Sequence, residues 1–593
     1  MVALIHDSNN HSAKKATRIQ GLHTRHNARG SMPGKEIRSQ PKIFLASAAA
    51  PKDYLDRARK ELLCSLMPPC AARSKSKPGV AMGYDLLNDA IVEASLAGRP
   101  RMVTLPGLFA AWGQGEDLIL SGIRQHQRPP IHMLLVQAAV TGTLRADSGQ
   151  AIDADEETWR DRLLALAPAE SWRLVAEPSD APAFLQPPVA ADDLKRFKET
   201  AHADDLTVLV AAKNHAVKQS VMGDASPWQW CASLIELQTS VGFSGRGNFG
   251  IIRMNGGFGS RPLVAAYPDM REGARWAHDT SALIARIDDV HADAIGFADQ
   301  GEGLVATWLS PWDGKSQLVI GDLDPLCIEV ARRVRLVMRD GRITALVGTS
   351  DCMRIGGTKD LSGRVGDPWC PVSVVKAKSL TVGAEGWTLH TLCNLILSSG
   401  DLRQSLLQHS ATDGVLHFHA AVMTGGQGGT DGYHEVTIPI PAETSMLMSL
   451  DTKFRDRLAR MARTMIQEAD KVSWILRKAV LSFAQGGVPL GDVNSTKEAD
   501  TTLAAFKRDI EAEFFPQLWQ VSAEAGDANL AWRRWLQRHA RDAYEDATRT
   551  VAVRTDLFWK AETIGRGILL GLLSHTFPSN QTKDGTVAEG AGK

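Results

Sequence analysis

The residues best suited to chemistry lie in GFSGRGNFGIIRMNGGFGSRP, residues 242–262, which holds seven glycines, three arginines and two asparagines. Gly245, Gly247 and Gly250 carry the G-x-G-x-x-G spacing of dinucleotide-binding turns, where missing side chains let the backbone approach a pyrophosphate. That chemistry requires a strand before the motif and a helix opening on its last glycine. Here the preceding WCASLIELQTSV reads as readily helical as extended, and Gly256, Gly257 and Gly259 would break any helix that followed. The fingerprint fails on context. What remains is bare main chain with exposed N–H groups, flanked by cations: Arg246, Arg253 and Arg261 within it, and Lys213, Asn214, His215 and Lys218 in the nearby AAKNHAVKQ. Such a loop suits a phosphate-bearing partner. A solvated connector with incidental arginines fits the same residues, and spacing alone does not separate the two, although a loop of this length is uncommon unless functional.

Other chemistry is weaker. His417, His419 and His434 fall in LHFHAAVMTGGQGGTDGYHEV, but a metal needs a third ligand in reach and acceptors that orient the rings that bind it. The i, i+2 spacing instead fits one face of a strand, so structural histidines are favoured. The rival class is a metal-dependent hydrolase or nuclease built on His417–His434. His278-Asp279 stands isolated where a two-metal phosphodiesterase needs several such ligands. There is no G-x-S-x-G elbow and no Walker loop. No catalytic constellation, metal site or cofactor is expected, and no small-molecule substrate. Seven cysteines without a C-x-x-C pair argue for a reducing compartment.

The elements that must position the loop follow from periodicity. At 593 residues the chain is long enough for two or more domains. Its first eighty residues carry 15 Lys and Arg against five acids and have no usable periodicity. Residues 1–82 therefore read as a disordered basic extension, with Met82 as the expected start. From 83 to 445 the chain mixes short helices, short strands and glycine loops. Its clearest signal is a hairpin in RRVRLVMRDGRITALVG: Val334, Leu336 and Met338 alternate, Asp340-Gly341 turns, and Ile343, Ala345 and Val347 alternate back. From 446 to 578 long amphipathic helices take over. Phe454, Leu458, Met461, Met465, Val472, Ile475 and Ala479 share one face, and Ser495 with Glu498 has capping-box spacing before the next helix. Four such helices read as a bundle, and 579–593 reads as a disordered tail. The fold class expected is α+β: a large mixed domain followed by a four-helix bundle. No stretch of about 18 apolar residues is present, so no membrane is expected.

Several stretches, in order, resemble the CasA family, the large subunit of the type I-E CRISPR Cascade complex: YDLLNDAIVEASLAGRPRMVTLPGLFA, HMLLVQAAVTG, AFLQPP, the glycine-rich segment, the hairpin with GDPWCPV, GGQGGTDGYHE and the terminal bundle. The resemblance implies a non-catalytic, cytoplasmic subunit of an RNA-guided antiviral complex. Such a subunit checks double-stranded DNA for a protospacer-adjacent motif, promotes strand opening, helps hold the displaced strand and docks the helicase-nuclease. Base pairing by the guide RNA reads the rest. Its implied partners are target DNA, the guide-RNA-containing Cascade subunits and that helicase-nuclease. The motif-reading loop carries over onto Gly242, Phe243, Ser244, Gly245, Arg246, Gly247 and Asn248, and the basic loop onto Lys213, Asn214, His215 and Lys218. Where family members place a glutamine wedge this chain has none, and Lys376 or Lys378 are the candidates. The clustered cysteines that hold zinc in some members are also missing. The remaining alternative is a purely structural scaffold subunit.

Overall fold

The computed structural model describes residues 84–146, 149–207, 223–254, 261–398, 400–408, 414–426, 429–523 and 529–578. The expected basic extension and the tail after 578 lie outside them. The fold is α+β. Its first apolar core gathers around the helix Arg128–Arg145, in which every residue from Pro129 to Thr143 is buried. A helix enclosed on all sides has no polar face to display, so its sequence is mostly apolar and its buried His132, Gln137 and Thr141 are each hydrogen-bonded inside the fold. Helices Leu105–Gly113, Glu156–Leu164, Pro227–Thr239 and Glu272–Ala285 contribute to the same core.

The expected hairpin forms as read. Arg333–Arg339 pairs antiparallel with Arg342–Gly348, and Asp340 and Gly341 both take positive φ (+49° and +78°), as a two-residue type I′ turn requires. Val334, Leu336, Ile343 and Ala345 face the core. Gln186 of AFLQPP, fully buried, seats the hairpin: its Oε1 accepts from Leu336 N–H at 2.6 Å while its amide donates to Leu174 O and Phe184 O.

A second sheet joins the two halves. Leu263–Tyr267 pairs antiparallel with Leu416–Gly426, which pairs with Gly429–Ile440. All five residues of Leu263–Tyr267 are buried. Leu263, Ala265 and Tyr267 pack into the first core, whereas Val264 and Ala266 pack into a second core shared with the helices beyond 441. Those helices are Ala442–Leu450, Thr452–Ala484, Asp500–Ala523, Asn529–Thr550 and Phe558–Thr576. The last four are the expected bundle, with Phe454, Leu458, Met465, Val472, Ile475 and Ala479 buried on the shared face. One local expectation is corrected: the second bundle helix opens at Asp500, not behind a Ser495–Glu498 capping box. Gln485 exchanges two hydrogen bonds with the Asn494 backbone and Arg477 donates to Thr496 O, so the segment is already committed to the end of the first helix.

Candidate nucleic-acid interface

The glycine loop leaves a well-fixed helix. Pro227–Thr239 starts with a reciprocal cap between Ser226 and Gln229 and with proline in its first turn. At its end, buried Gln238 accepts from Arg332 N–H at 2.7 Å and donates to the carbonyls of Leu185 and Arg332. Arg332 in turn donates to Gly242 O at 2.8 Å. Ile251 N–H returns to Val241 O, and Val241, Ile251, Met254 and Ala331 form a small apolar cluster beneath the loop. Phe243 and Phe249 meet edge to face, with ring centres 5.8 Å apart.

The tip is a tight turn. Asn248 N–H donates to Gly245 O and Ser244 N–H to Asn248 O, so Gly245-Arg246-Gly247-Asn248 is a β-turn with Gly247 at φ +84°, the value a type II turn needs in third place. Gly247 is buried: its carbonyl accepts from Ser350 N–H, and a Cβ there would come within 2.8 Å of Thr349. Gly245, at φ +102°, faces open space. Ser244 and Arg246 are exposed, while Gly242, Phe243 and Asn248 are half-buried. Among the described residues, no acceptor meets the N–H groups of Gly245, Arg246 or Gly247. A side-chain-poor turn with three donors to spare can hydrogen-bond acceptors on a partner.

Two of the three arginines read as loop charge are corrected. Arg253 is 1% exposed and lies on Glu329, with a further bond to Pro325 O. Arg261 donates to Asp367 at 2.7 Å and to Thr239 O at 3.3 Å, and is equally buried. A buried guanidinium needs acceptors to replace water, and both found a carboxylate inside the fold. Arg246 alone of the three reaches solvent. Arg261 has a different role: it binds the end of the glycine segment to the end of the helix that precedes it, and both to the GDPWC loop. Lys213, Asn214, His215 and Lys218 lie outside the described residues.

Beyond the GDPWC loop the chain makes a small hairpin, Val372–Ser373 against Lys378–Ser379. Ser373 Oγ donates to Asp401 and accepts from Lys376 N–H, fixing the turn. Its tip carries Val374 and Val375, 65% and 80% exposed, with exposed Lys376 beside them. Lys378 sits in the return strand opposite Ser373 and is half-buried. The valines were missed in the sequence, where SVVKAK carries too little pattern to mark a tip.

His278-Asp279 is not isolated. Asp279 is fully buried; its Oδ2 accepts from His132 (2.8 Å), Tyr267 (3.0 Å) and Trp369 (3.0 Å), and its Oδ1 lies 3.1 Å from His278 Nδ1. Burial alone would raise this carboxyl, but hydrogen bonds from the two histidines hold it well below the usual carboxylate range. His132 is pushed down by burial, and His419, packed nearby, falls to about 3 for the same reason. Through Trp369 this knot holds the GDPWC loop. His419 faces it, His417 pairs opposite Tyr267, and His434 lies opposite Val422. Among the described residues no group of three or more His, Cys, Asp or Glu could hold a metal ion, and no helix is long and apolar enough to cross a membrane.

No family model matches the sequence, and no curated protein does. Solved structures do. CasA (Cse1) of Thermus thermophilus, 13% identical, superposes with a TM-score of 0.57 over 84% of this chain and 100% of its own. CRISPR-associated Cse1 of Acidimicrobium ferrooxidans, 14% identical, gives 0.57 over 84% and 99%, and Cse1 of Thermobifida fusca, 13% identical, 0.55 over 83% and 98%. At this identity the likeness is one of fold: the chain has the CasA (Cse1) fold over most of its length.

Proposed function

We propose that this chain, which has the CasA fold, is the non-catalytic large subunit of a type I-E Cascade complex and reads a protospacer-adjacent motif in double-stranded DNA with residues 242–248. The observation that carries the reading is the turn Gly245–Arg246–Gly247, exposed at Arg246 and half-exposed at Gly245, whose three N–H groups meet no acceptor among the described residues. The minor groove, about 6 Å wide, displays mainly acceptors, adenine N3 and thymine O2. A turn without bulky side chains enters it and donates, but discriminates coarsely, so several related motifs are accepted. Arg246 serves the flanking phosphates; Lys213, Asn214, His215 and Lys218 supply further groove and phosphate contacts. The hairpin tip at Val374, Val375 and Lys376 is the strand-separating element, since apolar wedges unstack base steps. Lys378 belongs to its support. The guide-RNA subunits and the helicase-nuclease are the partners, and the complex works in the cytoplasm without a cofactor.

The test is a gel shift with the assembled complex. Gly245 is the residue to change: a side chain there meets open space and strains only the turn's own backbone, at φ +102°, whereas one at Gly247 would also disturb Thr349. Gly245→Val is expected to abolish motif-dependent binding of duplex DNA while the complex still co-purifies with a short guide RNA. Undiminished motif-dependent binding would sink the reading. Lys213→Ala and Lys218→Ala are each expected to weaken all sequences alike and to reduce the salt slope by about one.

A further inference from the structure

We infer that Arg332 is a positioning residue for the reading of duplex DNA: from beneath the glycine loop it fixes the direction in which Gly245, Arg246 and Gly247 present their N–H groups. This role presupposes the DNA reading proposed above, and adds to it a residue that is itself shut away from the partner. Arg332 is 5% exposed.

Four other buried arginines are well compensated. Arg253, Arg261 and Arg333 meet carboxylates, those of Glu329, Asp367 and Asp193, and Arg335 meets the carbonyls of Ala176, Ala181 and Gln186. Arg332 is held more sparely. It has no ion-pair partner among the described residues, and burial pushes its guanidinium down to about 10. One of its side-chain bonds runs 3.3 Å to the adjacent carbonyl of Ala331; the other, at 2.8 Å, goes to Gly242 O. An apolar side chain of similar length would fill the space without burying an unpaired charge. What the guanidinium adds is the bond to the loop.

The root of that side chain is itself fixed. Gln238 accepts from Arg332 N–H and donates to Arg332 O, and Ala331 N–H donates to Gln238 O. The loop it reaches is closed at the neck: Ile251 N–H bonds Val241 O, and a Cβ on Gly250 would come within 2.8 Å of the Gly242 backbone. Gly242 has no side chain to choose its ψ, so the peptide after it can turn over at little cost. The bond from Arg332 makes the choice. Across the turn, Ser350 N–H holds Gly247 O. Arg332 and Ser350 flank the open end of the central hairpin, where Arg333 pairs opposite Gly348. One hairpin thus grips a carbonyl on either side of the turn and takes both acceptors out of use. The N–H groups of Gly245, Arg246 and Gly247 are the ones left for a partner.

The test uses the assembled complex with its guide RNA and a library of duplexes that match the guide and carry every combination of base pairs at the flank. Arg332→Met is expected to weaken the duplexes that the parent selects by about tenfold or more, the share of one bond from a charged donor. Unselected duplexes should bind as before, with the slope of log K against log salt unchanged, because no phosphate contact is lost. Arg332→Lys keeps a cation able to donate to Gly242 O and is expected to recover most of the loss. Amide hydrogen exchange at Ser244 and Asn248 should quicken in Arg332→Met, while that of Leu336 in the hairpin should not. Gly245→Val, run alongside, separates the two claims. If it abolishes selection and Arg332→Met leaves selection intact, the turn reads DNA unaided and the role of Arg332 alone is overturned. If Gly245→Val changes nothing, the DNA reading falls and takes this role with it. An equal loss on all duplexes with a flatter salt slope would make Arg332 a phosphate contact, and faster exchange throughout the hairpin would make it a general support. Either result overturns the positioning role, as does an Arg332→Lys no better than Arg332→Met.

Discussion

At the scale of single residues, the interior stores a pH dependence. His419, pushed down to about 3 by burial, stays neutral in the folded protein long after an unfolded histidine, with its pKa near 6.5, has taken a proton. The unfolded chain therefore binds the extra proton, and stability falls as pH drops from about 6.5 toward 3. Between pH 6.5 and 5 this histidine alone is expected to remove on the order of 1–2 kcal/mol, and His132 adds in the same direction. His419→Gln should flatten the fall by that amount in urea denaturation; an unchanged pH profile would show that the ring is already solvated. Asp279 contributes nothing in this window, because its carboxylate is lost only at lower pH. None of this was legible beforehand. His132, Tyr267, Asp279 and Trp369 lie on four separate elements, and only the tertiary fold brings their donors to one carboxylate.

At the scale of elements, legibility tracked how local the cause was. The hairpin was readable because its turn residues and its alternation sit within seventeen positions. The bundle was readable because a long helix repeats its face many times. The glycine loop was visible as a candidate, but its arginines were misassigned: Arg253 and Arg261 look like surface charge until Glu329 and Asp367 arrive from far along the chain. Arg261 carries the element-scale prediction. Arg261→Met leaves Asp367 buried without its cation and is expected to cost about 3–5 kcal/mol in denaturant unfolding, because breaking one side of a buried pair strands the other. Arg261→Met with Asp367→Leu should recover most of that loss. A single variant as stable as the parent would mean that the pair is not buried in solution.

At the scale of the molecule, the expected boundary near 445 marks a change of texture, and the apolar packing continues across it. Val264, Ala266, Phe418, Ile438 and Ile440, all before that point, complete the core of the helices after it. The sequence could not reveal this, since a five-residue apolar run does not say which neighbour each face will meet. Residues 446–578 made alone are expected to unfold at lower urea than the same helices in the full chain, followed by helical circular dichroism. Equal midpoints would make the bundle independent.

The shared sheet also has a mechanical consequence. The glycine segment enters it at Leu263, opposite Ala421, whereas the bundle leaves it after Ile440, opposite Leu416. These attachment points are five positions apart along the central strand, one midway along it and the other at its start. A pull on the helices against an anchored loop would thus load the ladder lengthwise, across bonds that lie perpendicular to the strands, so that all resist together instead of unzipping one at a time.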